Sequence, residues 1–335
     1  MSKPRFIAFV ALLFGCCACT SNLPYQEVGG TMLGTSLSLI AQTETPSGEL
    51  YAACMALDAE AKRSMSIFDP QSRLSRLNRG ETDSLDRHLI RNITLADSIS
   101  RLSDGMYDIT VGPLIKAWGF GSDKAVATPN IDSILPFIGY EKITIRDGQL
   151  VKADPRIQID LNSIAKGYTV DLVADMLEDH GIDNYLVDIG GEVRCKGVNR
   201  QGNPWRIGIE TPFDGNYSEG AYIQRRIALT QGALATSGNY RRFYLDAQGN
   251  KVAHTINPRT GYSALSSLLS ATVVAPTCAE ADALCTMLMA LGAEQAITFS
   301  KAHPELALYL ILASEQSEEY TTYCSETMQQ LIMQD

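Results

Sequence analysis

Between residues 157 and 177 the hydrophobic period changes from two to 3.6, and this switch constrains the chain more than any other feature. Ile157 and Ile159 alternate with polar residues, as in a strand with one buried face. From Ile164 the apolar positions recur at helical spacing through Tyr168, Leu172, Met176 and Leu177. The join, residues 160–171, reads DLNSIAKGYTVD, with Asn162 or Ser163 where a helix N-cap belongs. A strand end that feeds a helix through small and polar residues gathers unpaired N–H groups and the positive end of the helix dipole, which suits an anion. A plain β-to-α connection inside a core has the same pattern, so the stretch alone does not decide between them.

The rest of the chain holds many short strands and fewer helices. GGTMLGTSLSLI, residues 29–40, reads as a turn into a strand. Helices are expected over 49–64, 89–102, 277–291 and 293–302. Arg146-Asp147-Gly148 marks a hairpin, Gly190-Gly191 a bulge or break in a strand over 184–197, and Gln248-Gly249-Asn250 a turn. Phe68, beside the Asp69-Pro70 turn, reads as core in isolation. The pattern is α+β, with mixed, largely antiparallel sheets packed with helices. Residues 29–315 form the domain and residues 316–335 read as a polar tail.

Lys3 and Arg5 precede an apolar run over 6–14, of signal-peptide length. Leu13-Phe14-Gly15-Cys16 resembles a bacterial lipobox, so residues 1–15 read as a lipoprotein signal peptide and 16–28 as a tether. Lipid on Cys16 would hold the domain at a membrane of the bacterial cell envelope, on the non-cytoplasmic side. The net charge is −10 and no basic stripe exists, so nucleic acid is not an expected partner. A phosphate ligand would need local help, such as a metal ion. Five of the eight cysteines lie beyond the signal peptide and tether; their spacing matches no zinc pattern, and they read as core thiols.

The helix over 277–291 is apolar nearly all round, so it should be buried. Asp282 and Thr286 are i and i+4 and share one side of it. A buried carboxylate needs a cation or donors. A hard divalent cation such as Mg²⁺, taking the Asp282 carboxylate and the Thr286 hydroxyl, meets that need, and so would a backbone N–H from elsewhere. His254 is the natural general-base candidate. Lys166 could meet a phosphate or pair with Asp160.

Six motifs occur in order: DITVGPLIKAWGFG, IDLNSIAKGYTVD, YLVDIGGEVRCKG, ATSGNYRR, HTINPRTGY and AEADALCT. Together they resemble the ApbE family of FAD:protein FMN transferases, over nearly the whole mature chain. The resemblance implies a Mg²⁺-dependent enzyme that cleaves FAD, transfers FMN to a Thr or Ser hydroxyl of an acceptor protein and releases AMP. It implies metal ligands at Asp282, Thr286 and the turn from Ser163 to Ala165, with a backbone carbonyl supplied there, and a base for the acceptor hydroxyl at His254. Flavin contacts are implied at Met32 or Leu33, Phe68, Met106, Tyr107, Asp108, Asp160, Lys166 and Ile256. Membrane redox subunits are the implied acceptors. FAD hydrolysis to FMN and AMP, or flavin binding by a lipoprotein without turnover, are the alternatives.

Overall fold

One long antiparallel sheet carries the other elements. The computed structural model describes residues 23–120, 129–213, 222–239, 243–245, 249, 251–314 and 320–334. The signal peptide, Cys16 and the last three residues of ATSGNYRR lie outside them. Strand β1 (Tyr25–Met32) turns back as β2 (Thr35–Gln42). The turn is Leu33-Gly34, with φ of 52° and 79°, the two left-handed positions of a type I′ hairpin. A leucine is costly there, and its N–H is held by Asp58 Oδ1 at 2.8 Å.

Four helices follow: α1 (Ser47–Met65), α2 (Arg73–Asn78), α3 (Arg87–Leu102) and α4 (Gly112–Ala117). Ser72 and Asp86 cap α2 and α3 through their side chains. The hairpin β3 (Ile143–Arg146) and β4 (Gln149–Lys152) reverses at Asp147-Gly148, again with both φ positive. Next come α5 (Ala165–Asp179), β5 (Tyr185–Ile189), β6 (Glu192–Lys196), β7 (Trp205–Glu210), β8 (Ile223–Leu229) and β9 (Gln231–Gly238). The small pair β10 (Phe243–Leu245) and β11 (Lys251–Ala253) precedes β12 (Leu268–Ala275), α6 (Cys278–Leu291) and α7 (Ala293–Ala302). The chain closes with β13 (Ala307–Ala313), β14 (Tyr320–Cys324) and α8 (Glu326–Gln329).

The main sheet runs β1-β2-β5-β6-β9-β12-β13-β14. Every strand pairing among the described residues is antiparallel, in line with the expected α+β fold of largely antiparallel sheets packed with helices. Helices α5 and α6 cover one face, α5 over β5 and β6 and α6 over β9 and β12. On the other face Val193, Cys195 and Leu234 pack with Trp205, Ile207, Ile227 and Met328, beneath β7, β8 and α8.

Four expectations change. Gly190-Gly191 is the reversal between β5 and β6, not a bulge. The domain begins at Tyr25, inside the stretch read as tether, because β1 needs its first residues to pair with β2. Residues 320–329 are no tail: β14 pairs with β13, and Met328 is fully buried. The outward Thr321 and Thr322 of this edge strand made it read as solvated. Phe68 is 60% exposed rather than core, because the short turn before α2 leaves it outside.

Candidate active site

The period switch at residues 157–177 builds the site by placing α5 against α6. Neither Asn162 nor Ser163 caps α5. Ile164 occupies the cap position without a side-chain bond, while Asn162 donates its N–H and side-chain amide to Asp160. The first turn of α5 is capped from the other helix: Gly167 N–H donates to Asp282 Oδ2 at 3.0 Å. This needs a close approach, because a Cβ at Gly167 would lie 2.3 Å from the Cys278 carbonyl oxygen. In return Asp171 of α5 caps α6, accepting from Cys278 N–H and Ala279 N–H at 2.9 Å each. Arg194 from β6 pairs with Asp171 at 2.9 Å. The two helices therefore cap each other with buried carboxylates.

Between Ala281 and Ala290 of α6 every residue is buried except Thr286. Thr286 is spared because it faces a cavity of about 250 Å³. Asp282, one turn earlier, lines the same cavity, as do Lys166 and Ser163. Met106, Tyr107, Asp108 and Asp160 form a second wall, and His254 and Ile256 a third. Ten of the sequence-derived candidates thus converge. The Tyr107 hydroxyl meets Ser163 Oγ at 2.9 Å, and Asp108 Oδ1 holds the N–H and hydroxyl of Thr110 at 2.7 Å each. The His254 ring sits edge-on to Phe120, with centroids 6.3 Å apart.

Four candidates do not line the cavity. Met32 is fully buried in the core under α1. Leu33 sits at the β1–β2 turn, held by Asp58. Phe68 stands exposed before α2. Ala165 opens α5, and its carbonyl accepts from Thr169 Oγ1 at 2.7 Å. Glu192 and the β9 residues Thr236, Ser237 and Gly238 also line the cavity, and the sequence did not single them out.

The cavity is strongly acidic. Asp108, Asp160, Glu192 and Asp282 line it with a single lysine, Lys166. Burial pushes the Asp282 carboxyl up to about 6, against the opposing pull of Lys166 and the Gly167 N–H. Burial and the neighbouring Asp282 push Glu192 up to about 8, although Lys166 is ion-paired to it. Burial opposes the charge on Lys166, but Glu192 and Asp282 outweigh it and raise its pKa. Among the described residues no cluster of three His, Cys, Asp or Glu converges on one point. An excess of buried negative charge around a carboxylate and a hydroxyl fits a hard, oxygen-seeking cation.

The sequence matches the ApbE family over residues 33–310. Two relatives named FAD:protein FMN transferase align over nearly their full length. The Haemophilus influenzae protein is 35% identical over 92% of both chains. The Vibrio cholerae protein is 34% identical over 94% of this chain and 95% of its own. The solved flavin transferase ApbE from Vibrio cholerae superimposes with a TM-score of 0.80 over 92% of this chain and 100% of that one, at 31% identity. The chain belongs to the ApbE family.

Within this ApbE chain, two kinds of residue escaped the sequence reading. Asp171 closes the motif DLNSIAKGYTVD, but its role needs the partner helix, which lies over a hundred residues away. Glu192 sits in the motif YLVDIGGEVRCKG, read only as a strand with a bulge or break, and its partner lies on another element. Arg194 and Lys196 on that strand meet carboxylates of α5, and Glu192 meets its lysine.

Proposed function

We propose that this chain transfers the FMN moiety of FAD to a Thr or Ser hydroxyl of an acceptor protein, releasing AMP, with Mg²⁺ as cofactor. The observation that carries the reading is that Asp282 and Thr286 of α6 and His254, from the segment after β11, line one cavity. The names of the full-length relatives support it. Asp282 and Thr286, with an oxygen from the turn at 163–165, would hold Mg²⁺. When bound, the ion would act as a Lewis acid on diphosphate oxygens.

The rest follows from the chain's own groups. Gly167 N–H fixes one oxygen of Asp282 and so orients the other toward the cavity. The N-terminus of α5, which opens on the same cavity, favours the negative diphosphate. Lys166 supplies the positive charge that an acidic chain otherwise lacks there. His254, on the opposite wall, takes the proton of the acceptor hydroxyl as it attacks the flavin-side phosphorus. Met106, Tyr107 and Ile256 form the apolar wall for the flavin ring.

Incubation of the purified protein with FAD, Mg²⁺ and a candidate acceptor, followed by mass analysis, tests this. An FMN-sized increment on the acceptor with release of AMP is expected. FMN and AMP without an increment, across a panel of acceptors, would replace transfer by hydrolysis. No cleavage at all would leave a binding protein. The lipid anchor is proposed on Cys16 alone; Cys16→Ser should release the protein from the membrane fraction, and retention there would refute it.

A further inference from the structure

We propose that Glu192 is a positioning residue that holds Lys166 off Asp282, so that the aspartate keeps its charge for the divalent cation. The inference rests on the metal reading of Asp282 given above. Glu192 starts β6 directly after the Gly190-Gly191 reversal, where φ of 64° and 95° lets the strand return close to α5. Its side chain is 3% exposed, lines the cavity and is ion-paired with Lys166 Nζ.

The row of charges on β6 shows what is unusual here. Arg194 meets Asp171, Asp175 and Glu178 of α5, and Lys196 meets Glu178. In each pair the strand gives the cation and the helix the carboxylate. At the cavity end the order inverts: the strand gives Glu192 and the helix gives Lys166. The inversion puts a second buried carboxylate beside Asp282, which raises the charge cost of the site.

What the extra carboxylate does follows from counting charges. Lys166 feels both Glu192 and Asp282. One ammonium neutralises one carboxylate. While Lys166 is paired with Glu192, its ammonium is not placed on Asp282, which makes no ion pair among the described residues. Without Glu192, the other buried carboxylate that acts on Lys166 is Asp282, and an internal ion pair then competes with the cation. An Asp282–Lys166 pair would be a stable, satisfied and inactive site. Glu192 excludes it.

Binding of Mn²⁺, a Mg²⁺ surrogate, to the metal-free protein can be followed by electron paramagnetic resonance without FAD or turnover. Glu192→Gln keeps the shape of the side chain, and should bind Mn²⁺ at least about tenfold more weakly than the unmutated protein. Adding Lys166→Met removes the competitor and should bring affinity back to within about threefold. Wild-type affinity in E192Q, or a double variant as weak as E192Q, overturns the proposal. A melting curve in chelator checks each fold. If E192Q does not fold, Lys166→Met alone decides: it should bind Mn²⁺ at least as tightly as the unmutated protein, and weaker binding overturns the proposal. Asp282→Ala separates the two readings. If it binds Mn²⁺ like the unmutated protein, the metal assignment falls and this inference with it. If D282A loses binding while E192Q keeps it, only the role of Glu192 falls.

Discussion

Asp171 and Asp282 are two buried aspartates at one helix crossing, 4% and 5% exposed. Each caps the other's helix across the contact at Gly167 and Cys278. Their surroundings differ in what is left over. Both oxygens of Asp171 are taken by backbone N–H groups, and Arg194 neutralises it. Asp282 has one oxygen fixed by Gly167 and makes no ion pair among the described residues. One carboxylate is consumed by the fold. The other is oriented by the fold with one oxygen left without a hydrogen bond among the described residues. A buried charge is therefore not in itself a sign of function; the unspent part of its bonding capacity is.

The comparison can be broken most sharply at Asp282. Asp282→Ala should lower FMN transfer at least about a thousandfold, since a metal's charge stabilisation is worth several kcal/mol. Its metal-free melting temperature should change little, because relief of the buried charge offsets the Gly167 N–H left unpaired. A normal rate in excess Mg²⁺ would contradict the assignment. Asp171→Ala should show the reverse. Removing it strands Arg194 and two amide groups, and should cost about 3–5 kcal/mol in denaturant unfolding, while the folded fraction still transfers FMN.

His254→Ala asks whether the cavity's chemistry lies beyond the aspartate. Transfer should fall about a hundredfold or more, the scale of general-base catalysis, while FAD binding by equilibrium dialysis is unchanged. Unchanged transfer at neutral pH would remove it as base. The smallest effect is on stability against pH. Folding raises the Asp282 carboxyl from 3.8 to about 6. The folded state then holds a proton that the unfolded chain has already lost, so this group costs stability as pH rises through that window. Metal-free Asp282→Asn should therefore melt a few degrees above the unmutated protein at pH 7.5, with the gap closing near pH 4. An equal gap at both values would contradict the raised pKa.

Much of this was legible in the chain. The period switch into α5, the buried character of α6, and the i, i+4 spacing of Asp282 and Thr286 follow from local sequence, and the structure brings them to one cavity. Four cysteines of the described region are buried and unbridged, as core thiols should be. What local sequence could not carry was pairing across distance. Asp171 and Gly167 are explained only by α6, and Glu192 only by α5. Met32 lies outside the cavity lining because a two-residue turn places it on the inward side of β1. The edge strand β14 was missed because Thr321 and Thr322 at its middle face solvent and it follows a polar, acidic stretch.

The account stands on the unspent oxygen of Asp282. The direct measurement is an anomalous difference map from a crystal soaked in Mn²⁺. A single strong peak against the Asp282 carboxylate and the Thr286 hydroxyl, with nothing at Asp171, is the predicted result. A map with no peak at Asp282, or one in which Lys166 has moved onto its carboxylate in place of the ion, would contradict it.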